Sequence, residues 1–149
     1  MLGTETLATV RCGIQSRLAC TVATCAWNST PPPEPGADVS MAVRLGDLQT
    51  LLGDFEMPEF LTAEDDYVCQ TCGDLVQKNI RVQPSGRALL FHFKRFDNVG
   101  RKRNDLVTFP RMLHFGTARY EFAAVVEHIG ATMKSGHYIA YVQSGSFMC

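Results

Sequence analysis

The chain has 149 residues and a formal net charge of −1, with 46% hydrophobic and 19% charged residues. These values are typical of one soluble globular domain and leave enough apolar material for a core, which argues against intrinsic disorder. The near-neutral charge argues against a dedicated nucleic-acid binder. No apolar run approaches the roughly 18 residues of a membrane span, and residues 1–11 lack a secretory-signal pattern. We therefore expect neither nucleic acid nor a membrane as a partner.

The first half of the chain predicts a strand and one or two short helices. Residues 29–36 hold four of the seven prolines and read as a loop or insertion. Alternating apolar side chains over residues 39–45 predict a half-buried strand, and the spacing over residues 48–55 predicts a helix that ends near Pro58. A second short helix or turn is predicted for residues 58–64, and a strand for residues 67–69.

The second half predicts a series of antiparallel strands. The segments with strand character are residues 76–82, 88–96, 107–109, 120–128 and 137–143. Turn-forming sequences separate several of them. The fold class indicated is α+β, dominated by antiparallel sheet.

The six cysteines include two close pairs. Since no secretory signal is expected, a reducing cytoplasm or nucleus is the predicted location, and metal binding is favoured over disulfides. Cys20 and Cys25 form a C-x4-C pair, and Cys69 and Cys72 form a C-x2-C pair, both with spacings typical of structural zinc. Four thiolates would close a tetrahedral Zn²⁺ site without an open position for water. The alternative is four free or buried thiols.

The histidines differ in the roles that their surroundings favour. His92 lies in an apolar strand and is best explained as a core or sheet-face residue, His114 as a surface residue, and His128 as a structural residue at a strand end. His137 follows a glycine-bearing turn that opens a strand, where an imidazole can be exposed beside a cleft. Histidine is the usual general base for a thiol nucleophile, because it titrates near neutrality.

Charged residues cluster in two places. Residues 94–95 and 101–103 form a basic stretch, which is compatible with a nuclear signal or a phosphate contact but is better explained as a solvated loop. Residues 64–66 form an acidic loop before the second cysteine pair.

These motifs, in this order, resemble the C-terminal part of the catalytic domain of the ubiquitin-specific proteases, a family of cysteine deubiquitinases. The matching segments are Gly13-Ile-Gln-Ser-Arg-Leu-Ala-Cys20, Tyr67-Val-Cys-Gln-Thr-Cys72, Leu90-Phe-His-Phe-Lys-Arg-Phe96, residues 102–110 with Val107-Thr-Phe-Pro110, and residues 120–142 with Gly136-His-Tyr138. The last of these resembles the family's histidine box.

The resemblance implies the hand-like fold of a papain-like cysteine peptidase. Residues 13–85 would form the zinc-ribbon-like fingers and an adjoining helix, residues 86–149 the antiparallel palm, and residues 1–12 would lie outside the match. The resemblance also implies that ubiquitin or ubiquitinated proteins are the partners and that the reaction hydrolyses the isopeptide bond after the terminal glycine of ubiquitin. In that reaction a thiolate attacks, and His137 takes and returns the proton.

Three departures from the family pattern shape the expectation. The G-N-T-C-Y box with the nucleophile does not occur in this sequence, and the third catalytic residue, an Asp or Asn expected about a dozen residues after Val142, is not reached. Val22 stands where the first zinc cysteine of a C-x2-C pair would fall, so either Cys20 replaces it or three ligands remain. We therefore expect a deubiquitinase fragment that is inactive alone. The alternatives are a non-catalytic ubiquitin-binding or scaffold module and, disfavoured by the charge, a zinc-ribbon nucleic-acid binder.

Overall fold

The computed structural model describes residues 10–65, 67–144 and 147–148, which fall into two compact units. One unit contains the described residues up to Val39 together with Leu52–Leu90, and the other contains Ser40–Leu51 with the described residues from Phe91 onward. Residues 1–9 of the predicted N-terminal segment, Asp66 of the acidic loop and Cys149 lie outside the described residues.

Strands dominate both units, as the sequence predicts. In chain order they are β1 (Cys12–Cys20), β2 (Asn28–Ser29), β3 (Glu34–Gly36), β4 (Val39–Ala42), β5 (Gly46–Asp47), β6 (Glu59–Leu61), β7 (Val76–Pro84), β8 (Phe91–Lys94), β9 (Val107–Thr108), β10 (Met112–Phe115), β11 (Ala118–Glu121), β12 (Ala124–Thr132), β13 (Ser135–Ser144) and β14 (Phe147–Met148). Helix α1 spans Leu48–Phe55, and a 3-10 turn spans Ala63–Asp65. With eight residues, α1 is far too short to cross a bilayer, and no other helix in the described ranges is long enough.

The first unit is built on one long antiparallel pair. Strands β1 and β7 run side by side from the pair Cys12 and Pro84 to the pair Cys20 and Val76. Short strands β2 and β3 pair with β1, and β6 pairs with the outer side of β7. Val76 is fully buried and Leu52 is 2% exposed, so the alternating strand and the amphipathic helix contribute the core that their patterns predict.

The second unit contains a set of small sheets. Strands β10 and β11 form one hairpin, and β12 and β13 form a longer one that β14 extends. Strand β4 pairs with β8, and β5 pairs with β9 in parallel. The buried side chains of this unit are Met41, Val43, Leu48, Leu51, Val107, Leu113 and Phe115.

Several sequence expectations need correction. Residues 59–61 form a strand rather than a helix or turn, because they pair with the start of β7. Residues 67–69 form no strand, since the Cys69 amide donates to Asp74 O and the Cys69 carbonyl accepts from the Gly73 amide, which closes a tight turn. The proline-rich stretch begins at the end of β2 and contains the short edge strand β3, where a missing N–H is tolerated. The β5–β9 pair is an exception to the predicted antiparallel arrangement.

Candidate functional site

The β1–β7 pair carries the two cysteine pairs to one place in the first unit. Cys20 ends β1 opposite Val76, and the next amide along, that of Thr21, donates to Leu75 O. Each pair sits in a turn: the Cys25 amide donates to Val22 O, and Gly73 closes the turn that holds the other two cysteines. The Sγ atoms of Cys20, Cys25, Cys69 and Cys72 lie within 4.8 Å of one another, close enough to hold a metal ion.

The contacts inside this cluster show whether Cys20 of the C-x4-C pair takes part in it. The Sγ atom of Cys20 lies 3.5 Å from that of Cys72, and the Sγ atom of Cys25 lies 3.7 Å from that of Cys69. The Val22 amide donates to the Cys20 sulfur at 3.4 Å. The C-x4-C loop therefore brings Cys20 itself into the cluster, and four thiols are present rather than three.

The pKa values of these thiols diverge because the groups share one small volume. Burial acts to raise the pKa of Cys69, but the amides of Cys72 and Thr71 and the neighbouring thiols outweigh it and lower the value to about 6. The Val22 amide acts to lower the pKa of Cys20, yet burial and the other three thiols raise it to about 12. Without a cation, the Cys69 thiolate is favoured, while the raised pKa values of Cys20 and Cys72 disfavour their ionisation. A divalent metal held by four thiolates would remove that conflict.

Cys12 lies apart from the cluster. It is buried, and its thiol donates to Gly36 O at 3.8 Å. Burial, followed by the negative charge of Asp38, raises the pKa of Cys12. A thiol with a raised pKa is a poor nucleophile at neutral pH, which argues against Cys12 as a nucleophile.

His137 lies on β13, three residues beyond the Met133–Lys134 turn of the long hairpin, and its side chain is exposed. It pairs with Ile129 of β12. Gly136, just before it, has a φ of 149° and leaves no room for a side chain: an added Cβ would lie 2.5 Å from Ile129 O and even closer to the His128 imidazole. The turn glycine is therefore required both by backbone conformation and by contact.

The His128 side chain fills the space beside this turn. It lies within β12 rather than at a strand end, opposite Tyr138. Its ring centroid is 5.0 Å from that of Tyr138 and 5.9 Å from that of Phe96. The Nδ1 atom is inaccessible and has no hydrogen-bond partner among the described residues. The structural role predicted for His128 fits this packing.

The charge pattern does not predict the contacts that Lys102 makes. In the sequence it belongs to a basic stretch that reads as a solvated loop, yet its Nζ atom is half-buried and donates to His128 O at 2.7 Å and to Gly130 O at 2.9 Å. The only available signal is its place in the segment from Lys102 to Pro110 that resembles the family motif.

Arg101 and Arg103 of the basic stretch do lie in a loop, whereas Lys94 ends β8 and Arg95 donates to Asp105 O at 2.7 Å. Arg101 pairs with Asp97 and Arg103 with Asp105, at 2.9 Å and 3.0 Å. The Arg101 amide, helped by its guanidinium and by the Val99 amide, lowers the pKa of Asp97. These local pairs neutralise Arg101 and Arg103, which disfavours a phosphate-binding patch at this loop.

The two remaining histidines lie on a sheet face and at the surface, as the sequence predicts. His92 is on the exposed face of β8, and its Nδ1 lies 3.0 Å from Ser40 Oγ. His114 is exposed on β10. Neither these two nor His137 has a cysteine or a carboxylate beside it in the contacts described, so His137 stays the candidate for proton transfer because of its sequence motif.

Comparison with known proteins agrees with the resemblance seen in the sequence. Residues 15–148 match the family described as Ubiquitin carboxyl-terminal hydrolase. Relatives include Ubiquitin carboxyl-terminal hydrolase 46 of Caenorhabditis elegans, 34% identical over 62% of this chain and 26% of that protein. Another is Ubiquitin carboxyl-terminal hydrolase 21 of Arabidopsis thaliana, 33% identical over 89% of this chain and 20% of that protein.

Solved structures show the same fold. A chain of the yeast SAGA DUBm matches with a TM-score of 0.76 and 26% identity, covering 93% of this chain and 34% of that chain. A second match, the SAGA DUB module bound to monoubiquitin, has a TM-score of 0.70 and 27% identity with the same coverage. The chain belongs to the ubiquitin carboxyl-terminal hydrolase family, whose members are cysteine-type deubiquitinases. It spans about a fifth to a third of the length of the relatives that it matches.

Proposed function

We propose that this chain is the fingers-and-palm portion of a thiol-dependent deubiquitinase. Residues 13–85 would grip ubiquitin and hold a structural Zn²⁺, and residues 86–149 would present His137 to the isopeptide bond after the ubiquitin C-terminal glycine. The observation that supports this proposal is the exposed side chain of His137, which follows Gly136 in the β12–β13 hairpin and lies inside the segment that matches the family. The cytoplasm or nucleus is the proposed location.

The chemistry proposed for His137 is proton transfer. A cysteine thiolate attacks the isopeptide carbonyl, and the imidazole, having taken the thiol proton, returns it to the leaving lysine amine. Water, deprotonated by the same imidazole, then hydrolyses the acyl-enzyme. The sequence holds no G-N-T-C-Y box, so the 149-residue chain alone is proposed to be inactive.

The zinc proposal follows from the donor set. Four thiolate ligands at tetrahedral reach suit Zn²⁺ and leave no position for a substrate or water. Cys20, Cys25, Cys69 and Cys72 would hold it, and it would supply stability to the end of the β1–β7 pair rather than chemistry. The divergent pKa values in the cluster support a cation there, because one metal allows all four sulfurs to be thiolates.

A ubiquitin derivative with a C-terminal electrophile tests the activity proposal. The purified chain is expected to form no covalent adduct in a gel-shift assay, while a complete relative such as the Caenorhabditis elegans hydrolase serves as the reactive control. An adduct on Cys12 or Cys149 would overturn the proposed inactivity. In parallel, titration of labelled ubiquitin tests whether the fingers, residues 13–85, bind ubiquitin, and saturable binding would support that role. Binding without any reaction in every longer form of the protein would favour the non-catalytic module.

A further inference from the structure

We propose that Lys102 and His128 are positioning residues for His137: together they fix the hairpin backbone on which the imidazole stands. The contact that carries this is the half-buried Lys102 ammonium, which donates to both His128 O and Gly130 O. The two carbonyls belong to alternate residues of β12, directly across from the segment that carries His137. The meaning of this arrangement for catalysis rests on the proposed function of His137.

The strand register explains why these carbonyls need a donor. The Gln143 amide donates to Ala123 O at 2.8 Å, so hydrogen-bonded pairs recur at every second position, and Ile129 with His137 is one of them. His128 and Tyr138 then form a non-hydrogen-bonded pair, and the His128 carbonyl faces away from β13. Lys102 satisfies that outer edge of β12 with a charge-assisted donor, which is stronger than a neutral one.

The same lysine holds a bulge next to His137. The register shifts between Ile129 and Thr132, so that β12 has one more residue than β13 at this point. Gly130 lies in the bulge, and its carbonyl is the second acceptor for Lys102. A bulge re-aims the neighbouring side chains and loosens the ladder, so an anchoring contact here bears directly on the direction of the His137 imidazole.

The His128 ring is the second group that fixes the backbone around His137. A Cβ on Gly136 would overlap with the His128 ring, and a Cβ on Gly130 would lie 3.0 Å from its Cε1 atom. On the other side the ring contacts Tyr138. His128 therefore packs against both chain neighbours of His137, and its unpartnered Nδ1 indicates that shape, rather than a hydrogen bond from that atom, is what the residue supplies.

The four histidines of the chain give a direct test, since each contributes one imidazole Cε1–Hε1 signal in a ¹³C-labelled sample. Lys102→Met keeps the length of the side chain and removes its charge. We expect it to shift the signals of His128 and His137, leave those of His92 and His114 in place, and speed exchange of the His137 amide at least tenfold, or about 1.4 kcal/mol. Lys102→Arg, which keeps the charge and donors, is expected to restore exchange to within about threefold of the parent chain, a residual of under 1 kcal/mol.

Lys78→Met is the matched control, because the ion pair of Lys78 within the described residues is with an exposed carboxylate, Glu59, in the other unit. It is expected to leave all four histidine signals unchanged. Should Lys102→Met fail to fold, His128→Leu tests the same inference with Lys102 intact and is expected to move the His137 signal. An unchanged His137 signal and amide exchange rate in a folded variant would overturn the inference. None of these measurements needs turnover, so they fail or succeed separately from the adduct experiment.

Discussion

Glycine-to-alanine substitutions along the chain separate contact from backbone strain at the His137 hairpin. At Gly136 both effects act: the φ is 149°, and an added Cβ falls about 0.9 Å short of the 3.4 Å at which ordinary contact with Ile129 O begins. Overpacking costs about 1–3 kcal/mol, and a rarely populated backbone conformation about 1–3 kcal/mol. We therefore expect Gly136→Ala to lower the free energy of opening of this hairpin by about 2–6 kcal/mol.

Alanine substitutions at three other glycines measure the steric contact and the backbone strain separately. Gly130 has the contact without the unusual φ, and its alanine variant is expected to cost about 1–3 kcal/mol. Gly116 has a φ of 57° and open space around it, so alanine there should cost about 1–2 kcal/mol. Gly53 lies in helix α1 with nothing within 4 Å, so Gly53→Ala should stabilise by about 0.5–1 kcal/mol.

Hydrogen–deuterium exchange with mass spectrometry measures these changes peptide by peptide, so each unit is followed separately. The expected order of cost is Gly136 first, then Gly130 and Gly116, with Gly53 of opposite sign. If Gly136→Ala opened the 124–144 hairpin no more easily than Gly116→Ala opens its own, the close packing around His137 would be refuted.

Three further outcomes are expected. Cys69→Ser should abolish binding of about one Zn²⁺ per chain in a colorimetric release assay and loosen the β1–β7 pair, whereas Cys12→Ser should keep the metal; equal zinc in both variants would contradict the four-thiol site. Leu52→Ala, at a site 2% exposed, should lower the free energy of unfolding in urea by about 2–5 kcal/mol. Leu45→Ala, at a site 74% exposed, should change the midpoint of urea unfolding little. Equal effects of the two substitutions would argue against the observed core. Because the pKa of Asp97 is lower in the folded chain than its ordinary value, its stabilisation is present at neutral pH and is lost as the pH falls through the folded pKa; Asp97→Asn should flatten that acid dependence, which an NMR pH titration of the loop would show.

Local periodicity is what the sequence by itself determined. The alternation over residues 76–82 became β7, the helical spacing over residues 48–55 became α1, and the fold class and family that the motifs implied are both confirmed. These features depend on side-chain spacing within one segment, which a single sequence displays directly. The paired cysteines were likewise visible, since metal ligands recur at short spacings.

Only the tertiary structure decided which distant groups meet. The strand at residues 59–61 exists because β7 offers it a partner, and Cys20 completes the cysteine cluster because the β1–β7 register brings it beside Cys72. The loop lysine at position 102 became a half-buried anchor because its ammonium group donates to two carbonyls on the outer side of β12. Such contacts depend on satisfying backbone groups across long sequence separations, and composition and periodicity carry no record of that requirement.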